Sequence, residues 1–352
     1  MNQTNIQTKL ALKKLKGIKP KGVKVKLDSS LEKMLSVTEQ LLVKKPEGIY
    51  LDIIGYANLK FANKIYNDLK ESLKEVDFSK TDLENWVLVN VDSPENLMYR
   101  QGLGVCSGAL LTILTERNKQ KNKKTIIDID GSNSQFDGLF CFTKYADEVT
   151  LRNFKGNAIC KNFIHSKGEG DKLYLYNVGK SSSASSCGEN GKLDSVYLIN
   201  SHGGQVISNH HVKNMWLINN DFSSSEGLLI GGQVERIWLL NNYASSFDLQ
   251  FQRMDAELLF ATLSDSSVIK KVRSASLSTL PIKFENVVIH SKESNYVELD
   301  KLSVKTIQVG NLATTQFKPI IDLSYSLEGK TFEEIKSTIV KIEQLYDEIN
   351  SK

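Results

Sequence analysis

The chain has 352 residues, 40% apolar and 24% charged, with a formal net charge of +4. That length admits two ordinary domains or one long solenoid with capping elements, and the charge is too small to demand a nucleic-acid or membrane partner by itself. Four cysteines (106, 141, 160, 187) sit at irregular spacings with no Cys-x-x-Cys pair, which argues against a disulfide framework and for buried free thiols in a reducing, cytoplasmic setting.

Residues 1–27 carry eight lysines, from Lys9 to Lys26, and no acid. Such an arm either binds phosphate backbones and anionic surfaces or serves as a mobile, solubilising terminus. It has no apolar h-region, so no secretion signal is expected. The longest apolar stretch, Leu103–Leu114, is too short and too interrupted to span a bilayer.

Residues 28–124 are expected to form a small α/β unit. Ser29 and Glu32 make a capping-box pattern ahead of a first helix, and Ile49–Ile54 reads as a strand. Leu59, Ala62, Ile65, Tyr66, Leu69, Leu73 and Val76 recur at helical spacing, which predicts a helix over 57–76. Trp86–Val91 reads as a second strand. Ser93-Pro94 then supplies an N-cap and a first-turn proline for a helix running to about Arg117. Gly102, Gly104 and Gly108 lie within that helix, away from any strand-to-helix turn, so close packing explains them better than a nucleotide fingerprint. A lysine-rich break, 117–124, precedes the strand Thr125–Asp130.

From residue 125 the period changes from helical to two. A five-residue phrase returns as Val149–Asn153, Leu173–Asn177, Val196–Asn200, Met215–Asn219 and Ile237–Asn241, each reading apolar, any, Leu, any, Asn. Successive asparagines lie 24, 23, 19 and 22 residues apart. Alternation marks a strand, Asn after it marks a turn, and recurrence at this period marks one coil of a solenoid. Second short strands are expected at Gly156–Ile159, Gly204–Ile207, Gly227–Ile230 and Phe247–Phe251. Less regular coils follow at Leu258–Leu263, Val287–Ile289 and Ile307–Val309, and Ser181–Ser186 enlarges one coil into a loop. Thr331 and Glu334 form a capping box before Phe332, Ile335, Ile339, Ile342, Tyr346 and Ile349. That helix either folds back over the last coil as a cap or serves as a short partner helix.

The expected architecture is therefore mainly β: a single-stranded parallel β-helix over 125–325, preceded by the α/β unit and closed by a C-terminal capping helix over 326–352. The asparagines at a fixed bend resemble the Asn ladder of right-handed parallel β-helices of the pectin-lyase-like superfamily. In such a ladder each amide bonds its equivalent one coil away and satisfies the interior turn. A leucine-rich repeat fits less well, because there the Asn follows the last strand leucine by three residues and here it follows by two.

The resemblance implies chemistry on acidic polysaccharides by paired carboxylates, and the nearest acids are Asp128, Asp130 and Asp137. Asp128 and Asp130 share a strand face, which suits an acid and a base but equally an ordinary coil end. His202, His210 and His211 fall in one coil, but neighbouring histidines on a strand point apart, so no metal or cofactor is assigned. Tyr174, Tyr197, Trp216 and Trp238 occupy the middle of the phrase and point outward if its leucines point inward. In register they build an aromatic stripe, with Tyr176 beside it, that either docks a partner, sugar or base or lies under the N-terminal α/β unit or the tail helix. The leading expectation is a non-enzymatic intracellular scaffold with a protein partner or self-association. A carbohydrate-active enzyme and a nucleic-acid binder acting through Lys9–Lys26 are the alternatives.

Overall fold

The computed structural model describes residues 29–43, 57–179, 186–188, 190–201, 206–222, 228–243, 247–252, 255–264, 269–274, 282–291, 298–300 and 302–351. The basic arm and Ile49–Ile54 lie outside them.

The described part of 28–124 is helical, which corrects the α/β expectation. Helix α1 spans Ser30–Val43, and the Ser29 hydroxyl accepts from the Glu32 amide at 3.2 Å. Helix α2 spans Ala57–Ser72 and buries Ile65 and Leu69, as its period requires. The segment Trp86–Val91, read above as a strand, instead belongs to α3, Lys80–Asn90. Its start is set by a capping box between Ser79 and Asp82, and Leu83, Trp86, Val87 and Asn90 are its buried face at steps of three and four. The apolar run at 86–89 imitates a strand only when read without that cap.

Helix α4, Leu97–Gln120, begins at the Asn96 cap, three residues later than Ser93-Pro94 suggested. It is long and apolar enough to cross a membrane by length and composition alone. In this fold its residues 101–115 are all buried, as expected of a helix enclosed on every side. Its small residues make that enclosure possible. A Cβ on Gly108 would stand 2.0 Å from the Cys141 carbonyl oxygen, and one on Gly104 2.5 Å from that of Gly138. Between them the Ser107 hydroxyl accepts from the Phe140 amide (2.8 Å), and one turn on the Thr112 hydroxyl accepts from the Lys144 amide (3.0 Å). The helix thus docks backbone to backbone on the first coils.

The solenoid's strands are all parallel. One wall is formed by β1 (Ile126–Asp130), β2 (Tyr145–Arg152), β3 (Glu169–Tyr176), β4 (Lys192–Ile199), β5 (Val206–Ile218), β6 (Leu228–Asn242), β8 (Asp255–Leu263), β10 (Ile282–His290) and β12 (Leu302–Gly310). A second wall runs from the leading ends of β5 and β6 through β7 (Phe247–Gln252), β9 (Ile269–Ser274) and β11 (Glu298–Asp300). The repeat phrases fall in strict register: Val149 opposite Leu173, Leu173 opposite Val196, Val196 opposite Met215, and Met215 opposite Ile237. These apolar residues and their leucine partners are fully buried or nearly so and form the interior column of one continuous core.

In the first coils the second wall differs from expectation. Gly156–Ile159 is irregular, with a bridge at Asn157 and a turn opening at Ile159, and not a strand. Gly138, Phe140 and Phe142, and then Gly156, Ala158, Cys160, Asn162 and Ile164, take positive φ at alternate positions. Successive coils still bond to one another, as in Cys160 N–H to Leu139 O (2.8 Å) and Ile164 N–H to Thr143 O (2.7 Å). Bulky residues at positive φ are strained, and sequence alternation alone cannot reveal them. Cys106, Cys141, Cys160 and Cys187 are free thiols buried in this region, where burial pushes Cys141, Cys160 and Cys187 well above the usual thiol range.

After Gly310 the chain turns helical: α5 spans Lys318–Tyr325, inside the stretch assigned above to the solenoid, and α6 spans Phe332–Asn350. The Thr331–Glu334 capping box is present in both directions.

Candidate functional site

The residues singled out in the sequence end in three different environments. Asp128 stands one coil before Thr150 in register, at the head of the outward column. Its Oδ1 accepts from Arg152 Nε and Nη2 at 3.1 and 2.9 Å. Asp130 accepts from the Ser132 amide at 2.8 Å and from the Asn153 amide group at 3.1 Å. Asp137 is buried and paired with Arg100 at 3.0 Å. Each carboxylate is thus engaged by a structural partner, and Asp130 serves as the foot of the asparagine ladder.

That ladder has two parts. Asn153, Asn177, Asn200, Asn219 and Asn241 all take φ between 51° and 55°, the left-handed turn their residue type tolerates. Amide links run from Asn177 to Asn153 (2.8 Å) and from Asn241 to Asn219 (2.9 Å). These side chains are not uniformly interior, however: Asn177 is exposed and Asn153, Asn200 and Asn219 are half-buried. The buried ladder lies one residue further on. Asn220 Nδ2 donates to Asn242 Oδ1 at 3.1 Å, and the Ser201 amide donates to Asn220 Oδ1 at 2.9 Å.

The aromatic stripe exists and is longer than expected. Thr150, Tyr174, Tyr197, Trp216, Trp238, Phe260 and Val288 stand in register on one outward column. Tyr174 and Tyr197 stack at 4.2 Å and 11°, and Trp216 and Trp238 at 4.6 Å and 5°. The column is not a free docking surface, because the tail lies over it. Phe332 meets Tyr174 edge-on at 5.7 Å, Tyr346 meets Trp238 at 5.2 Å, and Phe317 meets Phe260 at 5.8 Å. Lys336 sits 4.6 Å above the Tyr174 ring, and Arg236 pairs with Asp347 at 3.1 Å. Trp216 and Trp238 are fully buried. Burial raises the Tyr197 phenol to about 12. The expected docking of Tyr174, Tyr197, Trp216 and Trp238 is therefore met within the chain: α5 and α6 are its occupant. The amphipathic period of α6 that suggested a cap is the face that seals the side of the solenoid, not its end.

The basic break behaves likewise. Arg117 donates to the carbonyls of Val76 (2.6 Å) and Leu73 (2.7 Å), while Lys121 and Lys124 pair with Asp77 and Asp171. His211 is half-buried, and the side chains of His202 and His210 lie outside the described residues. Among the described residues no group of three or more His, Cys, Asp or Glu side chains converges as a metal site would require.

What the sequence did not single out is the contrast between the two ends of the solenoid. At the first rung Ile127 and Ile129 are buried at 0% and 1% exposure. Helix α3 closes this end: Glu84 accepts from the Asp128 amide at 3.2 Å, and Trp86 contacts Phe136 at 6.5 Å. At the last rung the equivalent column ends on Ile307 and Val309, opposite Val287 and Ile289 of β10. Ile307 is 46% exposed, and Val304 and Val309 are half-buried. Among the described residues β12 pairs with β10 alone, so one edge of backbone donors and acceptors is open. Only one formal charge, Lys305, falls between Leu302 and Gly310, and it pairs with Glu285 at 3.4 Å. Natural edges are ordinarily blunted by charge, proline or a covering element; this one has a single lysine and, among the described residues, no proline and no covering element.

The fold defines the chain as a parallel β-solenoid with a helical N-terminal unit and a helical side cover. No protein-family model, no curated protein and no solved structure matches it.

Proposed function

We propose that this chain is a non-enzymatic assembly protein, and that its solenoid pairs end to end with a second copy through the open edge of β12. One observation carries the reading: among the described residues the interior column is closed at β1 and left open at β12, where Ile307 is 46% exposed. Because α3 blocks the β1 end, head-to-tail stacking is disfavoured and an isologous pairing of two β12 edges is the arrangement that closes. The strand's single charge, already paired, leaves little like-charge repulsion between copies. Pairing would bury Val304, Ile307 and Val309 and satisfy the edge backbone groups, at about 25 cal/mol per Å² of apolar surface removed from water.

The asparagine links support a likeness in architecture to pectin-lyase-like β-helices, and the four buried free thiols suit a cytoplasmic setting. The engaged state of Asp128 and Asp130 gives no support to a glycan-cleaving role.

Light scattering behind size exclusion tests the proposal on the full chain. The wild type is expected to give a concentration-dependent dimer, and Ile307→Lys a monomer with an unchanged circular dichroism melt. A monomer at every concentration, or a dimer indifferent to Ile307→Lys, would overturn it.

A further inference from the structure

The tail that covers the aromatic column is rooted on a titratable side chain. His290 closes β10 and is only 2% exposed. Its Nδ1 accepts the Leu312 backbone N–H at 3.0 Å. An N–H only donates, so Nδ1 holds a lone pair, and in the neutral ring the proton is on Nε2. From Leu312 the bonds run outward in one chain. Both the amide and the hydroxyl of Thr315 donate to the Leu312 carbonyl, at 3.1 and 2.7 Å, and the Lys318 amide donates to the Thr315 carbonyl at 3.1 Å. They lead into α5, whose first residue follows Phe317, a cap position with no side-chain hydrogen bond. A helix of eight residues is marginal by itself, so its seat depends on how this root is held. Leu312 and Phe317 are buried with it, and Phe317 is the ring that covers Phe260.

Thr262 of β8 and Gly310 of β12 flank His290 in register. Tyr325 of α5 stands edge-on to the imidazole at 5.9 Å and donates its hydroxyl to the Leu263 carbonyl at 2.9 Å. Residues 311–317 carry no charge. On α5, Lys318 and Asp322 are exposed and paired with each other. Glu257 of β8, Glu285 of β10 and Lys305 of β12 each lie five positions before this rung, about 16 Å along the strand. Glu257 pairs there with Arg236, and Glu285 with Lys305.

We infer that His290 is a pH-sensitive latch on the tail: protonation at Nδ1 removes the acceptor of the Leu312 N–H, sets two donors against each other, and frees residues 311–317 and α5 from the Phe260 end of the aromatic column. Histidine changes charge within the pH 5–8 range. The closed form uses the lone pair and the open form does not, so acid shifts the population toward the open form. The latch is closed at neutral pH and opens on acidification. Helix α6 stays in place through Arg236–Asp347 and Lys336–Glu148, so opening uncovers Phe260 and leaves Tyr174 and Trp238 covered. The device goes beyond the assembly proposal, and its test needs no second copy.

Hydrogen exchange of the full chain at pH 7.5 and 5.0 tests the inference, read as protection factors so that the intrinsic pH dependence of exchange drops out. Peptides across 311–325 are expected to lose about tenfold in protection at the lower pH. Those across α3, at the other end of the solenoid, should change by less than about threefold. His290→Asn places an amide oxygen near the position of Nδ1 and does not titrate, so it should hold the protection of 311–325 at both pH values. Unchanged protection of 311–325 in the wild type would overturn the inference. So would a fall no larger than that of α3, which is global destabilisation, or an equal fall in His290→Asn. The wild-type comparison of 311–325 with α3 decides the matter alone where His290→Asn does not fold.

Discussion

His165 shows how burial of one ring sets a pH dependence that composition does not reveal. Its folded-state pKa lies below the ordinary histidine value, chiefly through burial. In the unfolded chain the ring titrates near 6.5. The unfolded state therefore binds the proton first, and this residue's contribution is present above about pH 6.5 and lost as pH falls from there toward the folded value. The wild type should lose more stability between pH 7.5 and 5.5 than His165→Gln, whose side chain does not titrate. Thermal melts of both proteins at the two pH values check it, and parallel losses would refute it. Gly108 makes a second residue-scale point. Alanine ordinarily favours a helix interior over glycine by about 1 kcal/mol. Here its Cβ would stand 2.0 Å from the Cys141 carbonyl oxygen, and overpacking of this kind costs about 1–3 kcal/mol. Urea denaturation of Gly108→Ala should therefore show a net loss of stability, and a gain would contradict the packing described for α4.

At the scale of elements, α6 and the aromatic column hold one another. The column alone would be an exposed apolar stripe of stacked rings, and the helix alone would be a short amphipathic segment marginal in water. Trp216 Nε1 and Trp238 Nε1 are buried without a hydrogen-bond partner among the described residues, a cost that the stacking and edge-on contacts offset. Trp238→Ala should cost about 3–5 kcal/mol, and Thr331→Ala, which removes the cap, about 1 kcal/mol. Equilibrium unfolding measures both, and equal small effects would contradict the arrangement.

The repeat phrase made the wall legible because one pattern sets strand, turn and register at once. The aromatic column followed from the same alternation. That the tail helix could cover the column was legible, but not whether it, the N-terminal unit or a partner does, since the amphipathic period of α6 states only that some surface is buried. Trp86–Val91 misled because the run 86–91 is too short to show a period by itself; Leu83 before it and the Ser79–Asp82 cap are what set the helical steps 83, 86, 87 and 90. The positive-φ wall at 138–164 was invisible for a different reason. Phe140, Cys160 and Ile164 are not residues that favour that backbone region, so it is imposed by bonding between coils and by contact with α4. His165 carried no motif, and its lowered affinity for a proton rests on a burial that only the fold creates.

For the whole molecule, the unequal ends are the organising fact. A solenoid buries its interior column only by adding coils or by covering its ends. This chain covers the first end with α3 and the long side with α5 and α6, and leaves β12 uncovered among its described residues. In the proposed isologous arrangement a second copy would supply that cover, each β12 lying antiparallel to its twin. The measurement that tests this most directly is oxidative cross-linking of Thr306→Cys at mid-strand, with Ile126→Cys on the closed first rung as the control. Pairing across a two-fold axis predicts a disulfide-linked dimer for Thr306→Cys and none for Ile126→Cys at equal concentration. A dimer formed only through Ile126→Cys, or no dimer through either, would contradict the account.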